Sequence, residues 1–149
     1  MIFESLEASV PCEGCGGVAE WHGVQALVDD SLRWDTEVSC RTCGHALAVC
    51  GGELPASLRE RMLGEHGRTV LRLGAPVRRV VVMRVLRKTL GVGLAEAGDV
   101  LDRVLAGRYG ATLPETELLA RRLRSAGVEA EAVGPASDEF GTPQGSPLL

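Results

Sequence analysis

Short runs of alternating apolar and polar residues fill the first third of the chain, and helical spacing takes over after residue 53. Val18 to Val24 and Leu32 to Val38 have strand composition, and the turn signal Asp29-Asp30-Ser31 lies between them. Ala46 to Val49 adds a short strand. Leu54, Leu58, Met62 and Leu63 form one stripe and predict a helix over 53–64, with Pro55 in its first turn and Gly64 as its C-terminal cap. Thr69 to Leu73 alternates and stops at Gly74, as a strand does. Leu94, Ala97, Val100, Leu101, Val104 and Leu105 recur at i, i+3, i+4 and predict an amphipathic helix over 94–106. Thr112 and Glu115 are spaced as a capping box, opening a helix whose stripe is Leu118, Leu119, Leu123 and Ala126 and which Gly127 ends. Val128 to Val133 alternates strictly and predicts a half-buried strand. Residues 77–90 have two readings: Val77 to Met83 suits a strand by propensity, Arg84 to Leu90 suits a helix, and pattern does not choose. Residues 135–149 lack periodicity, are rich in Gly, Pro and Ser, and are expected to be disordered, with Phe140 as a weak docking anchor.

Cysteine spacing changes this picture. Four of the five cysteines fall in two matched steps, Cys12-Glu13-Gly14-Cys15-Gly16 and Cys40-Arg41-Thr42-Cys43-Gly44. Two thiolate pairs supply what a tetrahedral zinc site needs. A hairpin carrying one pair at each end resembles a zinc ribbon, and the glycine after each pair permits a sharp turn whose N–H groups point at sulfur. Such a shell has four protein ligands and no open position, so the Zn2+ is expected to be structural. Its binding contributes roughly 10–16 kcal/mol, more than a core of this size supplies. A thiol–disulfide role for one pair lacks the βαβ context it normally has. Cys50, the odd thiol, is expected to be a small buried core residue in a strand. His22 and His66 are isolated; His45 adjoins the second pair without being needed as a ligand.

Charge divides the chain. Residues 1–67 hold 4 Lys+Arg against 11 Asp+Glu, a net −7; residues 68–134 hold 12 against 7, a net +5; the last 15 residues add −2. The sign change near residue 67 suggests a boundary and an acidic partner for the basic half. The expected organisation is a zinc ribbon over 1–54, a linker helix over 55–67, an α/β domain over 68–134 and a tail over 135–149. No basic region followed by a long apolar run opens the chain, and no stretch is apolar enough to span a membrane, so a cytoplasmic location is expected. No base–nucleophile pair and no glycine-rich phosphate loop is present, which argues against an enzyme.

The stretch from Val82-Met83-Arg84-Val85 through Lys88-Thr89-Leu90-Gly91-Val92-Gly93-Leu94-Ala95-Glu96-Ala97 resembles the signature of the bacterial ribosomal stalk protein's C-terminal domain. The likeness continues to Ser125-Ala126-Gly127-Val128-Glu129-Ala130-Glu131 and covers about residues 68–134. It implies that 77–90 is helical and that a compact βααβαβ sandwich follows, three helices on a three-stranded sheet. The fold class is thus α+β: a small all-β ribbon, then the βααβαβ unit. In that family a basic face around the first two helices docks translational GTPases. Arg79, Arg84 and Arg87 fall on basic family positions and Lys88 extends the same face, whereas two family lysines are replaced by Ala95 and Gly98. The family's dimerising helices and hinge are absent.

The function expected from these residues is a non-enzymatic protein–protein interaction module with a structural zinc. Its partner would be a protein, a translational GTPase or a ribosome-associated component, held through Arg79, Arg84, Arg87 and Lys88. Two alternatives stand beside it. One is an inhibitor or immunity-type protein whose acidic front half neutralises a basic toxin or enzyme. The other is a nucleic-acid-binding zinc ribbon, which the acidity of that half disfavours. A protease adaptor rests on fold analogy alone.

Overall fold

The alternating front of the chain folds as a four-stranded antiparallel sheet in the spatial order β1 (Ile2–Pro11), β2 (Val18–Val28), β3 (Ser31–Ser39), β4 (Ala46–Val49). The computed structural model describes residues 1–135. Phe140 and residues 136–149 of the predicted tail therefore lie outside the described residues. β1 is not among the elements read from the sequence. β2 and β3 meet in a two-residue turn where Asp29 and Asp30 both have positive φ (48° and 67°), as a type I′ hairpin requires.

Residues directly opposite one another share a face of an antiparallel sheet. The register aligns Ala8, Trp21, Val38 and Leu47 in one row and Leu6, Gly23, Thr36 and Val49 in the next. This face carries most of the ribbon's buried apolar residues, among them Leu6, Ala19, Leu27 and Trp34. The Trp21 and Trp34 rings lie 6.2 Å apart over it, tilted by 49°. They cross the strand where Gly23 has no side chain; a Cβ there would come within 2.7 Å of Trp21.

The joint helix α1 (Ala56–His66) packs Met62, Leu58 and the preceding Leu54 against Leu6, Trp34 and Trp21. The helix runs past Gly64, the predicted cap, and ends at Gly67 (φ 81°), whose N–H bonds the Leu63 carbonyl at 2.9 Å. The positive φ there suits glycine, and a Cβ on Gly67 would come within 2.9 Å of Pro135.

The second half runs β5 (Thr69–Leu73), α2 (Arg79–Leu90), α3 (Leu94–Leu105), β6 (Gly110–Ala111), α4 (Leu113–Ser125), β7 (Ala130–Val133), a βααβαβ order. Its sheet is antiparallel with order β6-β5-β7. Residues 79–90 are helical because that winding buries Val82 and Leu86 in a core with Leu71, Ala97, Leu101, Leu119 and Leu123. Gly91 (φ 67°) caps α2 through a 2.9 Å bond to the Arg87 carbonyl. Two residues of the predicted α3 stripe, Leu94 and Leu105, are exposed. They sit at the helix ends, beyond the reach of the core.

α4 lies against both sheets, touching β5 and β7 on one side and β1, β2 and β3 on the other. It accordingly buries residues on more than one face: Pro114, Thr116, Leu118, Leu119, Ala120 and Leu123. Its N-terminus forms the predicted capping box between Thr112 and Glu115. Both residues also bond the ribbon: Thr112 Oγ1 donates to Gln25 Oε1 at 2.6 Å, and Gln25 Nε2 donates to Glu115 Oε2 at 3.1 Å. Arg59 of α1 closes the set, donating from Nε to both Glu115 oxygens at 3.0 Å and from Nη2 to Oε1 at 2.8 Å. Glu4 of β1 accepts from the Leu113 N–H at 3.3 Å. At the other end of the interface Arg122 reaches the β2–β3 turn, 3.7 Å from the Asp30 carboxylate. No helix among the described residues is long and apolar enough to cross a membrane.

Candidate metal centre and basic groove

The two Cys-x-x-Cys steps occupy the β1–β2 and β3–β4 connections, at the same end of the sheet. Each is a tight knuckle. Gly16 (φ 76°) and Gly44 (φ 80°) take backbone conformations that side chains rarely adopt. Their own N–H groups bond the carbonyls of Cys12 and Cys40 at 2.8 and 2.9 Å, while other N–H groups of the first turn point at sulfur, as the sequence suggested. The sulfur-directed donors are other residues: Gly14 N–H to Cys12 Sγ at 3.2 Å and Gly17 N–H to Cys15 Sγ at 3.4 Å.

All four sulfurs lie within 4.8 Å of one another. The close approaches cross the pairs, Cys12 to Cys43 at 3.6 Å and Cys15 to Cys40 at 3.7 Å. Tetrahedral metal–thiolate bonds of about 2.3 Å set ligand edges of about 3.8 Å, so the cluster is close to the size that a metal ion requires. Cys12 and Cys40 are buried beside Ala19, Val10 and Val38, and Cys15 and Cys43 face solvent. Crowding splits the thiols' proton affinities. The Cys40 thiol is held down to about 6, chiefly by the Cys43 backbone N–H, with burial opposing. The His45 backbone N–H favours the Cys43 thiolate, yet its neighbours Cys12, Cys15 and Cys40, together with burial, push that thiol up to about 12. A divalent cation relieves the repulsion and makes all four thiolates compatible. The chemistry such a centre supplies is cross-linking of the two knuckles. His45 contributes its backbone here, accepting the Cys40 N–H at 2.8 Å, and its ring is not in the cluster. Cys50 lies past the end of β4 and is exposed, not a core residue, because pairing with β3 stops at Val49.

Arg79, Arg84, Arg87 and Lys88 come together on the outer side of α2. They line a groove of about 690 Å³ that is completed by Val80, Met83, Val92 and Leu94. Arg79 is 3.7 Å from Asp102 across α3, an exposed pair of small energetic value. Arg84, Arg87 and Lys88 are exposed and form no ion pair among the described residues. The apolar floor was not anticipated as part of a site. Val80 is 72% exposed and Leu94 62%. A signal existed: Val80 stands off the Val82–Leu86 stripe, so winding residues 79–90 as a helix turns it outward. Arg78, also in the basic run, instead ties α2 to the α4–β7 turn by donating to the Gly127 carbonyl at 2.7 Å.

No protein-family model, no curated protein and no solved structure matches the chain. No family or relative therefore supports the likeness of residues 68–134 to the ribosomal stalk domain. What the geometry establishes is an α+β chain with a four-cysteine cluster that can hold a metal ion.

Proposed function

We propose that this chain is a non-enzymatic docking protein of the cytoplasm. A structural Zn2+ on Cys12, Cys15, Cys40 and Cys43 stiffens the ribbon, and the groove on α2 and α3 receives an acidic, partly apolar segment of a protein partner. The observation that carries the reading is the unpaired cluster Arg84, Arg87 and Lys88 around the exposed Val80 and Leu94. Exposed apolar surface rimmed by charge is characteristic of interaction sites. Arginine is favoured at the centres of interfaces, and the net positive field of this half steers acidic partners. Zinc is the metal that a closed tetrathiolate shell favours, and such a shell leaves no position for substrate. A translational GTPase or ribosome-associated partner is the narrower version, supported by the resemblance of residues 82–97 to the stalk domain.

Affinity purification from the native cell tests the reading. The doubly reversed variant Arg84→Glu, Arg87→Glu should lose a protein that the unaltered chain and an Arg108→Glu control both retain. Equal recovery by all three would contradict groove docking. A recovered partner that proves to be nucleic acid, bound with steep salt dependence, would replace it with the alternative named above.

A further inference from the structure

The free edge of the ribbon is chemically unlike a protected sheet edge. β1, at one side, is covered by α1 and α4. β4, at the other, pairs only with β3, and all four of its residues are exposed. Exposed edges are ordinarily guarded by lysine, proline, a bulge or shortness, and β4 has only the last, at four residues. Ala46-Leu47-Ala48-Val49 has no charge and no proline. Leu47 and Val49 are each 53% exposed and lie on the same face as Val38 and Thr36. Next to them a hollow of about 390 Å³ is lined by Val10, Pro11, Glu13, Val38, His45 and Leu47. The helices cover this face of the sheet over Leu6 and Trp34 and leave it open at the metal end.

The opposite face of the same edge is acidic. Ala48 stands across from Glu37, and Asp35 accepts the Gly51 N–H at 2.8 Å just past the strand. The alanine side chains of β4 leave the exposed Glu37 open to a strand laid alongside, whereas Asp35 is already paired with Arg33 at 3.4 Å. Residues 1–54 hold 2 Lys+Arg against 9 Asp+Glu, a net −7, to which a zinc tetrathiolate adds −2. A second copy pairing β4 with β4 would bring two such surfaces together with no cation on either edge.

We propose that β4 is a docking edge for an extended, basic segment of a protein partner, taken up by strand addition. Alternate residues of that segment would be apolar, filling the hollow over Leu47 and Val38, and the intervening ones Lys or Arg, reaching across Ala48 to Glu37. Backbone hydrogen bonds give such a complex its affinity and the alternation gives it selectivity. The site is separate from the α2–α3 groove and opposite to it in charge preference.

The probe is an end-capped peptide, Lys-Val-Arg-Val-Lys-Val, titrated into the full-length zinc-loaded chain and followed by amide chemical shifts. Shifts should concentrate on residues 45–50 and on β3, and the Glu-for-Lys/Arg peptide should bind at least about tenfold more weakly. Leu47→Lys, which installs the missing edge guard, should weaken the basic peptide about tenfold; Ala48→Lys is the second variant should the first fail to fold. Equal binding of both peptides, shifts elsewhere, or no binding would overturn the proposal. So would concentration-dependent dimerisation of the free chain that Leu47→Lys abolishes, since the occupant would then be a second copy. Because the peptide is basic, its failure here leaves the groove reading standing, and the Arg84 and Arg87 reversal leaves this one standing.

Discussion

Gln25 of β2 and Glu115 of α4, 90 positions apart, are hydrogen-bonded at 3.1 Å, and through them the ribbon holds the first turn of the helix that also supports the second sheet. Gln25 is buried and both ends of its amide are used, one by Thr112 and one by Glu115. Among the described residues no buried side-chain polar atom lacks a partner. A polar junction of this kind is fully satisfied only when α1, α4 and the ribbon are all in place. It therefore specifies how the halves meet more than it adds net stability.

Glu115→Gln keeps the shape and removes the charge opposite Arg59. With the Glu115 side chain mostly buried and Arg59 about a third exposed, the expected loss is about 1–3 kcal/mol in urea unfolding, less than a fully buried pair would cost. A double-mutant cycle with Arg59→Met should show the two losses to be strongly non-additive. Additive losses would mean that the bidentate contact contributes nothing of its own.

The same carboxylate sets an acid dependence. Burial alone would raise its pKa, but the Arg59 guanidinium and the Gln25 amide more than offset this and hold it below the ordinary carboxylate value. The folded state thus keeps Glu115 ionised to lower pH than the unfolded chain does. Its contribution is complete above the unfolded value of about 4.3 and fades as pH falls through the depressed folded value. Glu4 acts in the opposite sense: burial raises its pKa, so protonation in mild acid favours the folded form. Unfolding free energies from pH 6 to pH 3 should fall more steeply for the unaltered chain than for Glu115→Gln. Both share the cysteine cluster, so acid release of metal cancels in the comparison, and parallel curves would contradict the assignment.

Gly23 makes a third point of leverage. Its neighbours are ring atoms of Trp34 and Trp21, the latter 2.7 Å from where a Cβ would lie. Gly23→Ala should cost about 1–3 kcal/mol by overpacking and should alter tryptophan fluorescence, since the tilted ring pair must separate. Unchanged stability and emission would show the rings free to move aside.

The parts legible in the sequence were those fixed by local chemistry. The Cys12–Cys15 and Cys40–Cys43 steps announced the knuckles by spacing alone, and Thr112 with Glu115 announced the start of α4. What spacing could not convey is that the capping residues also serve a junction; Gln25 looks like any strand residue, and Arg59 lies 56 positions from its partner. β1 escaped notice because Phe3 and Glu4 break its alternation, although Leu6, Ala8 and Val10 alternate with Ser5, Glu7 and Ser9. Residues 77–83 have strand propensity, and burial of Val82 and Leu86 against the second sheet overrides it. Leu94 fits a core stripe by spacing but begins its helix, where the core no longer reaches, and so becomes part of the groove instead.

Four thiolates on one metal ion underlie the whole account, and the fifth cysteine provides an internal control. Metal analysis of freshly purified chain should give one zinc per molecule, with alkylation under native conditions confined to the exposed Cys50. Chelation should then expose Cys12, Cys15, Cys40 and Cys43 together and unfold the ribbon. A folded chain without stoichiometric metal, in which all five cysteines react at similar rates, would contradict the account.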